Sequence, residues 1–280
     1  MLKPSWSFEF FPAKTEAGHA KLRQTREQLA ALNPEFFSVT YGAGGSTQDR
    51  TLDTVLEFNP LGVSTAPHLS CIGAKPGPLL DLLHEYRDAG VNRIVALRGD
   101  LPSGMVGGSG HFRYARDLVA FIKEHFGKDF HLEVAAYPEM HPQAVNYEAD
   151  LRAFASKVEA GADSAITQYF YNPDSYFHFV DRLEAMGIHI PVIAGIMPIT
   201  NYSKLARFSD ACGAEIPRWI RKQLEAYGDD SDSIQAFGHE VVLELCATLI
   251  DAGVPGMHFY TMNQAGPTQA LLQDLGLIAE

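Results

Sequence analysis

One glutamate stands inside a run of aromatic residues near the start of the chain, Ser7-Phe8-Glu9-Phe10-Phe11. Phenylalanine neighbours strip water from a carboxyl, which raises its pKa and makes Glu9 a proton donor near neutral pH. The plainer reading is an outward-facing glutamate on an alternating strand. Alternation puts Glu9 on the face opposite Phe8 and Phe10, and in a sheet covered on both sides neither face is solvated, so the functional reading is preferred. A second group is Arg98-Gly99-Asp100, followed by Gly104, Gly107, Gly108 and Gly110. The two charges read either as a structural ion pair or as groups facing a ligand. The glycines would let backbone N–H groups approach an anion, or form a lid or simple slack. A third is GAGGST (Gly42 to Thr47), one residue short of the dinucleotide fingerprint GxGxxG because Thr47 stands where the last glycine belongs. The next strand closes on His68 rather than on the acidic residue that a ribose contact needs.

Other chemistries are argued against by spacing and charge. The 11 histidines form no HExxH or HxH pattern, and Cys71, Cys212 and Cys246 lie far apart, so no metal site and no disulfide framework is expected. The 280 residues carry 22 Lys+Arg against 34 Asp+Glu, a net charge of -12, with no basic stripe. Nucleic acid is therefore not an expected partner. The N-terminal MLKPSWSFEFFP has no basic segment followed by an apolar one. The longest uncharged stretch, Ala185 to Ser203, is interrupted by Pro191 and Pro198. Neither predicts a signal peptide or a membrane span, and the expected compartment is the cytoplasm.

The elements that must position these residues alternate from end to end. Candidate strands are Ser7 to Phe11, Phe36 to Tyr41, Ser64 to Cys71, Arg93 to Gly99, His131 to Pro138, Ser164 to Tyr171, Pro191 to Met197 and Gly256 to Thr261. Between them, stretches such as PGPLLDLLHEYRDAG and NYEADLRAFASKVEAG repeat apolar residues near a 3.6-residue period and end at glycine. Eight βα units in this length predict an α/β fold, a single-domain (β/α)₈ TIM barrel, with a helical insertion at about 201–253. Barrel enzymes place their chemistry at the C-terminal strand ends, and the polar residues gather there. In strand order they are Glu9; Thr40 and Tyr41; His68; Arg98, Gly99 and Asp100; Tyr137, Glu139 and His141; Gln168 and Tyr169; and, on the last strand, Tyr260.

In this order, FEFFP, SVTYGAGGST, HLSC, ALRGD, AAYPEMHP, TQYFYN, GIMPI and HFYTMN resemble the blocks of the methylenetetrahydrofolate reductase family, bacterial type, over nearly the whole chain. The resemblance implies a barrel that holds FAD non-covalently and reduces methylenetetrahydrofolate with NADH or NADPH in ping-pong fashion. It implies Glu9 as general acid and Asp100 as a carboxylate between flavin and pterin. It implies substrate contacts from Gln168, Phe208 and Tyr260, and FAD contacts from Thr40, Tyr41, Ala43, His68, Arg98, Gly99, Asp100, Tyr114, Ala115, Tyr137, His141, Asp150 and Lys157. On periodicity alone, Asp150 and Lys157 are solvated charges on an amphipathic helix. Two departures stand out. Similar proteins commonly read HFYTLNR where this chain has Met262, Asn263 and Gln264, and the chain ends where eukaryotic members carry a regulatory domain. The resemblance also implies a homo-oligomer acting on small molecules. The alternatives are a catalytically silent flavin- or folate-binding barrel, and an unrelated NAD-dependent dehydrogenase on an open sheet suggested by GAGGST.

Overall fold

The computed structural model describes residues 3–41, 48–99 and 110–279. Eight short strands alternate with helices: β1 (Ser5–Phe10), β2 (Phe37–Val39), β3 (Thr65–Ser70), β4 (Arg93–Leu97), β5 (His131–Ala136), β6 (Ser164–Thr167), β7 (Val192–Ile196) and β8 (Gly256–Tyr260). Each pairs in parallel with the next, and β8 returns to β1, closing a (β/α)₈ barrel in one domain. Closure leaves no point at which strand order reverses, which overturns the open-sheet alternative. The GAGGST segment itself lies outside the described residues.

The eight strands fall where the sequence places them, but several are shorter at the C-terminal end. β6 stops at Thr167 instead of running to Tyr171, and β4 stops at Leu97 instead of Gly99. Gly99 has a φ of +81°, outside any strand, and a Cβ there would lie 1.8 Å from Ser70 Oγ, so the turn requires glycine. Tyr169, Phe170 and Tyr171 are buried although they follow the strand. Aromatic content alone cannot separate these two kinds of burial.

The connecting helices are α1 (Glu16–Ala30), α2 (Gln48–Phe58), α3 (Pro76–Asp88), α4 (Ala115–Phe126), α5 (Tyr147–Glu159) and α6 (Pro173–Ala185). Three helices, α7 (Tyr202–Cys212), α8 (Arg218–Tyr227) and α9 (Ser231–Asp251), stand between β7 and β8, and α10 (Gly266–Asp274) follows β8. Side-chain caps fix where several of them start. Thr15 accepts from Gly18 N–H at 3.1 Å, Asn146 from Ala149 at 2.9 Å, Asn172 from Asp174 at 3.1 Å and Asn201 from Lys204 at 2.9 Å. Each such cap stabilises by about 1 kcal/mol and pins a loop on the face where the strands end. α9 has the length and apolar content that crossing a membrane requires, and here it turns Ile234, Val241, Val242, Leu245 and Leu249 into the core.

Two separate cores result from strand alternation. Phe8, Phe10, Phe37 and Val39 point outward and pack with helix residues such as Leu22, Leu29 and Leu83. Inside the barrel a smaller group, Phe36, Ala66, Val95, Ile166 and Ile193, fills the lumen. Polar side chains share that lumen. His258, fully buried, is bonded to Ser7 Oγ at 2.7 Å and Ser38 Oγ at 3.2 Å, and stacks on Phe36 at 5.7 Å.

At the N-terminal mouth the fully buried Glu133 meets Arg93 at 2.6 Å and Ser164 Oγ at 2.6 Å, with His131 at 3.3 Å. Arg93 reaches on to Glu35 at 2.6 Å and lies over the Phe36 ring at 4.3 Å. Burial pushes the Glu133 carboxyl upward, but the hydrogen bonds from His131 and Ser164 and the charge of Arg93 outweigh it and hold the group below the usual carboxylate range. The barrel is thus closed at its lower end by a satisfied ion network.

Candidate active site

Glu9 sits one residue before the end of β1, opposite Ser38 on β2 and Tyr260 on β8. Its side chain points into the lumen at the C-terminal mouth and is only 7% exposed. Burial raises its pKa to about 8, so the carboxyl holds its proton at neutral pH. The source of that burial corrects the sequence reading. Phe8 and Phe10 lie on the other face of the strand, against the helices, as the period of two requires. Water is kept from Glu9 by the lumen instead.

His68 on β3 faces Glu9, with Nε2 3.5 Å from Oε2. Burial lowers the imidazole to about 4. Both groups are therefore neutral near pH 7, and the contact is a carboxylic acid facing an imidazole rather than an ion pair. His68 Nε2 is buried and has no hydrogen-bond partner among the described residues. A buried nitrogen left so is costly unless a ligand group meets it.

Tyr260 closes the group. Its hydroxyl donates to Thr167 C=O at 2.7 Å, and burial, with the Glu9 charge second, raises its pKa far above the usual phenol. Space for the ring comes from Gly195 on β7, where a Cβ would fall 2.9 Å from the Tyr260 ring and 2.1 Å from Thr167 O. Sequence reasoning named neither Gly195 nor Thr167. A glycine inside an apolar strand was the available signal for a close approach.

On the β4 to β6 side, Arg98 donates to Gln143 Oε1 at 2.6 Å and to Gly99 C=O at 3.3 Å. Tyr137 and His141 make an edge-on ring contact at 4.5 Å, and Asp150 at the start of α5 accepts from His141 N–H at 2.7 Å. Lys157, two turns further along α5, is not the solvated charge that periodicity suggests. Its ammonium lies 2.5 Å from Ala135 C=O, and burial lowers its pKa to about 8, partly offset by Asp150. Gln168 and Tyr137 line one small cavity with Glu139 and Tyr169, and Gln168 accepts from Tyr169 N–H at 3.0 Å.

The remaining candidates are more dispersed. Thr40 follows β2, its N–H bonded to Phe10 C=O and its own C=O to Thr51 Oγ1, and burial raises the pKa of Tyr41 beside it. Tyr114 and Ala115 stand at the start of α4, with the Tyr114 ring 48% exposed. Phe208 lies on α7, 39% exposed, next to the buried Ser209. Ala43 and Asp100 lie outside the described residues, as do Gly104, Gly107 and Gly108. No three His, Cys, Asp or Glu side chains group as metal ligands among the described residues.

Comparison with known proteins places the chain in a family. The family model "Methylenetetrahydrofolate reductase" matches residues 2–276. The 5,10-methylenetetrahydrofolate reductase of Escherichia coli K12 is 40% identical over 273 residues, covering 97% of this chain and 90% of that protein. Methylenetetrahydrofolate reductase (NADH) 1 of Arabidopsis thaliana is 36% identical, covering 99% of this chain and 49% of its own length. Among solved structures, an uncharacterized protein from Clostridium thermocellum that binds two copies of 5-methyl-5,6,7,8-tetrahydrofolic acid superposes with a TM-score of 0.70. It is 16% identical, covers 99% of this chain and 96% of its own, and speaks for the fold alone. On the family match and the identity to its bacterial members, the chain belongs to the methylenetetrahydrofolate reductase family.

Proposed function

We propose that the protein reduces 5,10-methylenetetrahydrofolate to 5-methyltetrahydrofolate, taking electrons from NADH or NADPH through non-covalent FAD. The observation that carries the reading is Glu9, a protonated acid at the C-terminal mouth of a barrel of this family. The residues present fit a flavin: His68 Nε2 is buried and has no partner among the described residues, Arg98 and Lys157 bring positive charge to the same side, and Gly99 keeps its turn free of any side chain. His68, Arg98, Tyr137, His141, Asp150 and Lys157 would hold it. When bound, FAD supplies the two-electron chemistry that no side chain can.

The chain's own residues then handle proton and charge. Opening the five-membered ring of the folate to an iminium requires protonating the ring nitrogen that leaves. Glu9 holds that proton up to about pH 8. General acids of this kind contribute about 10²- to 10⁴-fold. Asp100 is proposed as the carboxylate that stabilises the cationic iminium, and Gln168, Phe208 and Tyr260 as contacts to pterin or nicotinamide. The setting we propose is cytoplasmic, with the chain as a homo-oligomer.

The test is the visible spectrum. Purified protein is expected to be yellow, to bleach on anaerobic addition of NADH or NADPH, and to recover its colour on adding methylenetetrahydrofolate. A colourless protein that cannot be reconstituted with FAD overturns the proposal.

A further inference from the structure

Four contacts tie α7 and the turn after it to the loops that follow β5 and β6. Tyr169 OH and Ser209 Oγ share a hydrogen bond of 3.0 Å, and Cys212 Sγ lies 3.6 Å from the same phenol. Gly213, at a φ of +75°, packs so closely on Pro142 that a Cβ would come within 2.6 Å of its ring. The Glu139 carboxylate accepts the backbone N–H of Glu215 at 2.7 Å. Of the four, only the Glu139 contact is a hydrogen bond from the β5 loop to the backbone of the turn.

The loop that presents Glu139 is held at both ends. Met140 N–H bonds to Tyr137 C=O, and His141 N–H to Asp150. Met140 itself has a φ of +100°, where residues with a side chain are strained. That strain is kept next to the carboxylate that reaches α7. On α7, Leu205 and Ser209 face inward with Cys212 in the same row, at i, i+4 and i+7. Phe208 stands beside that row, at i+3 from Leu205, on the helix that runs into the turn at 213–217.

We infer that Glu139 is a positioning residue: by clamping the turn after α7 to the loop after β5, it sets where Phe208 stands and hence how tightly the site takes its substrates. The inference rests on the proposed reductase reading, in which Phe208 touches folate and nicotinamide. Burial, with the neighbouring Glu215 charge, raises Glu139 to about 7 against the opposing hydrogen bond. Tyr137, Tyr169 and Cys212 line the same cavity, and burial keeps Tyr169 protonated. An ionised acceptor bonds more strongly than a neutral one, so the clamp tightens as pH rises through about 7.

The experiment compares wild type, E139A and E139Q in two ways. Hydrogen–deuterium exchange on the flavin-free chains reads the clamp directly, and exchange across residues 213–217 is expected to speed up in E139A. Steady-state kinetics of the holoenzymes read its consequence. E139A is expected to raise KM for methylenetetrahydrofolate about 3- to 10-fold with kcat and flavin content near wild type. E139Q, which keeps an acceptor oxygen, should restore KM at pH 6 but lose the fall in KM that wild type shows between pH 6 and pH 8. Unchanged exchange in E139A, or faster exchange with unchanged KM, overturns the proposal. So does an E139Q pH profile identical to wild type. A wild type that does not reduce methylenetetrahydrofolate overturns the reductase reading beneath the proposal, and the proposal with it.

Discussion

Replacing Glu9 with glutamine is expected to leave the flavin reducible by NADH at close to the wild-type rate and to block reoxidation by methylenetetrahydrofolate. Glutamine preserves shape and hydrogen bonding but has no proton to give. Only the folate half-reaction needs that proton, and its rate should fall about 10²- to 10⁴-fold. In wild type the same half-reaction should slow as pH rises through about 8, where Glu9 loses its proton, and in the variant that inflection should vanish. A purely structural Glu9 makes a different forecast. Both half-reactions would then decline together, along with flavin content. Glutamine removes an ionisable group from a buried position, so thermal stability should hold or rise. Stopped-flow absorbance of each half-reaction decides the matter, and normal reoxidation by the folate rejects Glu9 as the acid.

The second large effect is expected at the opposite mouth. Glu133→Ala leaves the Arg93 guanidinium, 17% exposed, without its buried partner. Breaking a buried pair by removing one member costs about 3–5 kcal/mol. For a domain of this size that lowers Tm by roughly 6–20 °C. The wild-type contribution is present at neutral pH and is lost only as pH falls below the ordinary carboxylate range, because Glu133 is held below it. Calorimetry of wild type and variant checks the size. A change under about 2 °C would mean that Arg93 turns to solvent at little cost, and that the network is ornament rather than closure.

Barrel and strand count could be read from the sequence because eight β-rich runs are separated by segments of unmistakably different period. The strand ends could not, since Tyr169 and Tyr171 are as aromatic as any strand residue yet are buried outside the sheet. Glu9 was found from its neighbours, although two of them, Phe8 and Phe10, lie on the wrong face to desolvate it. The partner that matters, His68, is 59 residues away, and only closing the barrel brings the two within 3.5 Å. Lys157 was hidden by a different limit. A helical period tells which side a residue is on, while the carbonyl of Ala135 that receives its ammonium belongs to β5. Arg93 and Glu133 look like ordinary charges in RIVAL and HLEVAA. Their opposite signs on neighbouring strands were visible, but not that both point inward.

Glu9, His68 and His258 lie buried in the lumen, and together they add a pH dependence of their own to the stability of the fold. Folding raises Glu9 to about 8 from an ordinary 4.5. The folded chain therefore keeps a proton that the unfolded chain sheds, and stability falls as pH climbs through that interval. Folding lowers His68 to about 4 and His258 to about 3 from an ordinary 6.5, chiefly by burial. Below 6.5 the unfolded chain takes up two protons that the folded one refuses, and stability falls as pH drops. Between 4.5 and 6.5 two imidazoles oppose one carboxyl and win; above 6.5 the carboxyl acts alone. The contribution of these three groups peaks at about pH 6.5, below the point at which Glu9 gives up the proton its chemistry needs.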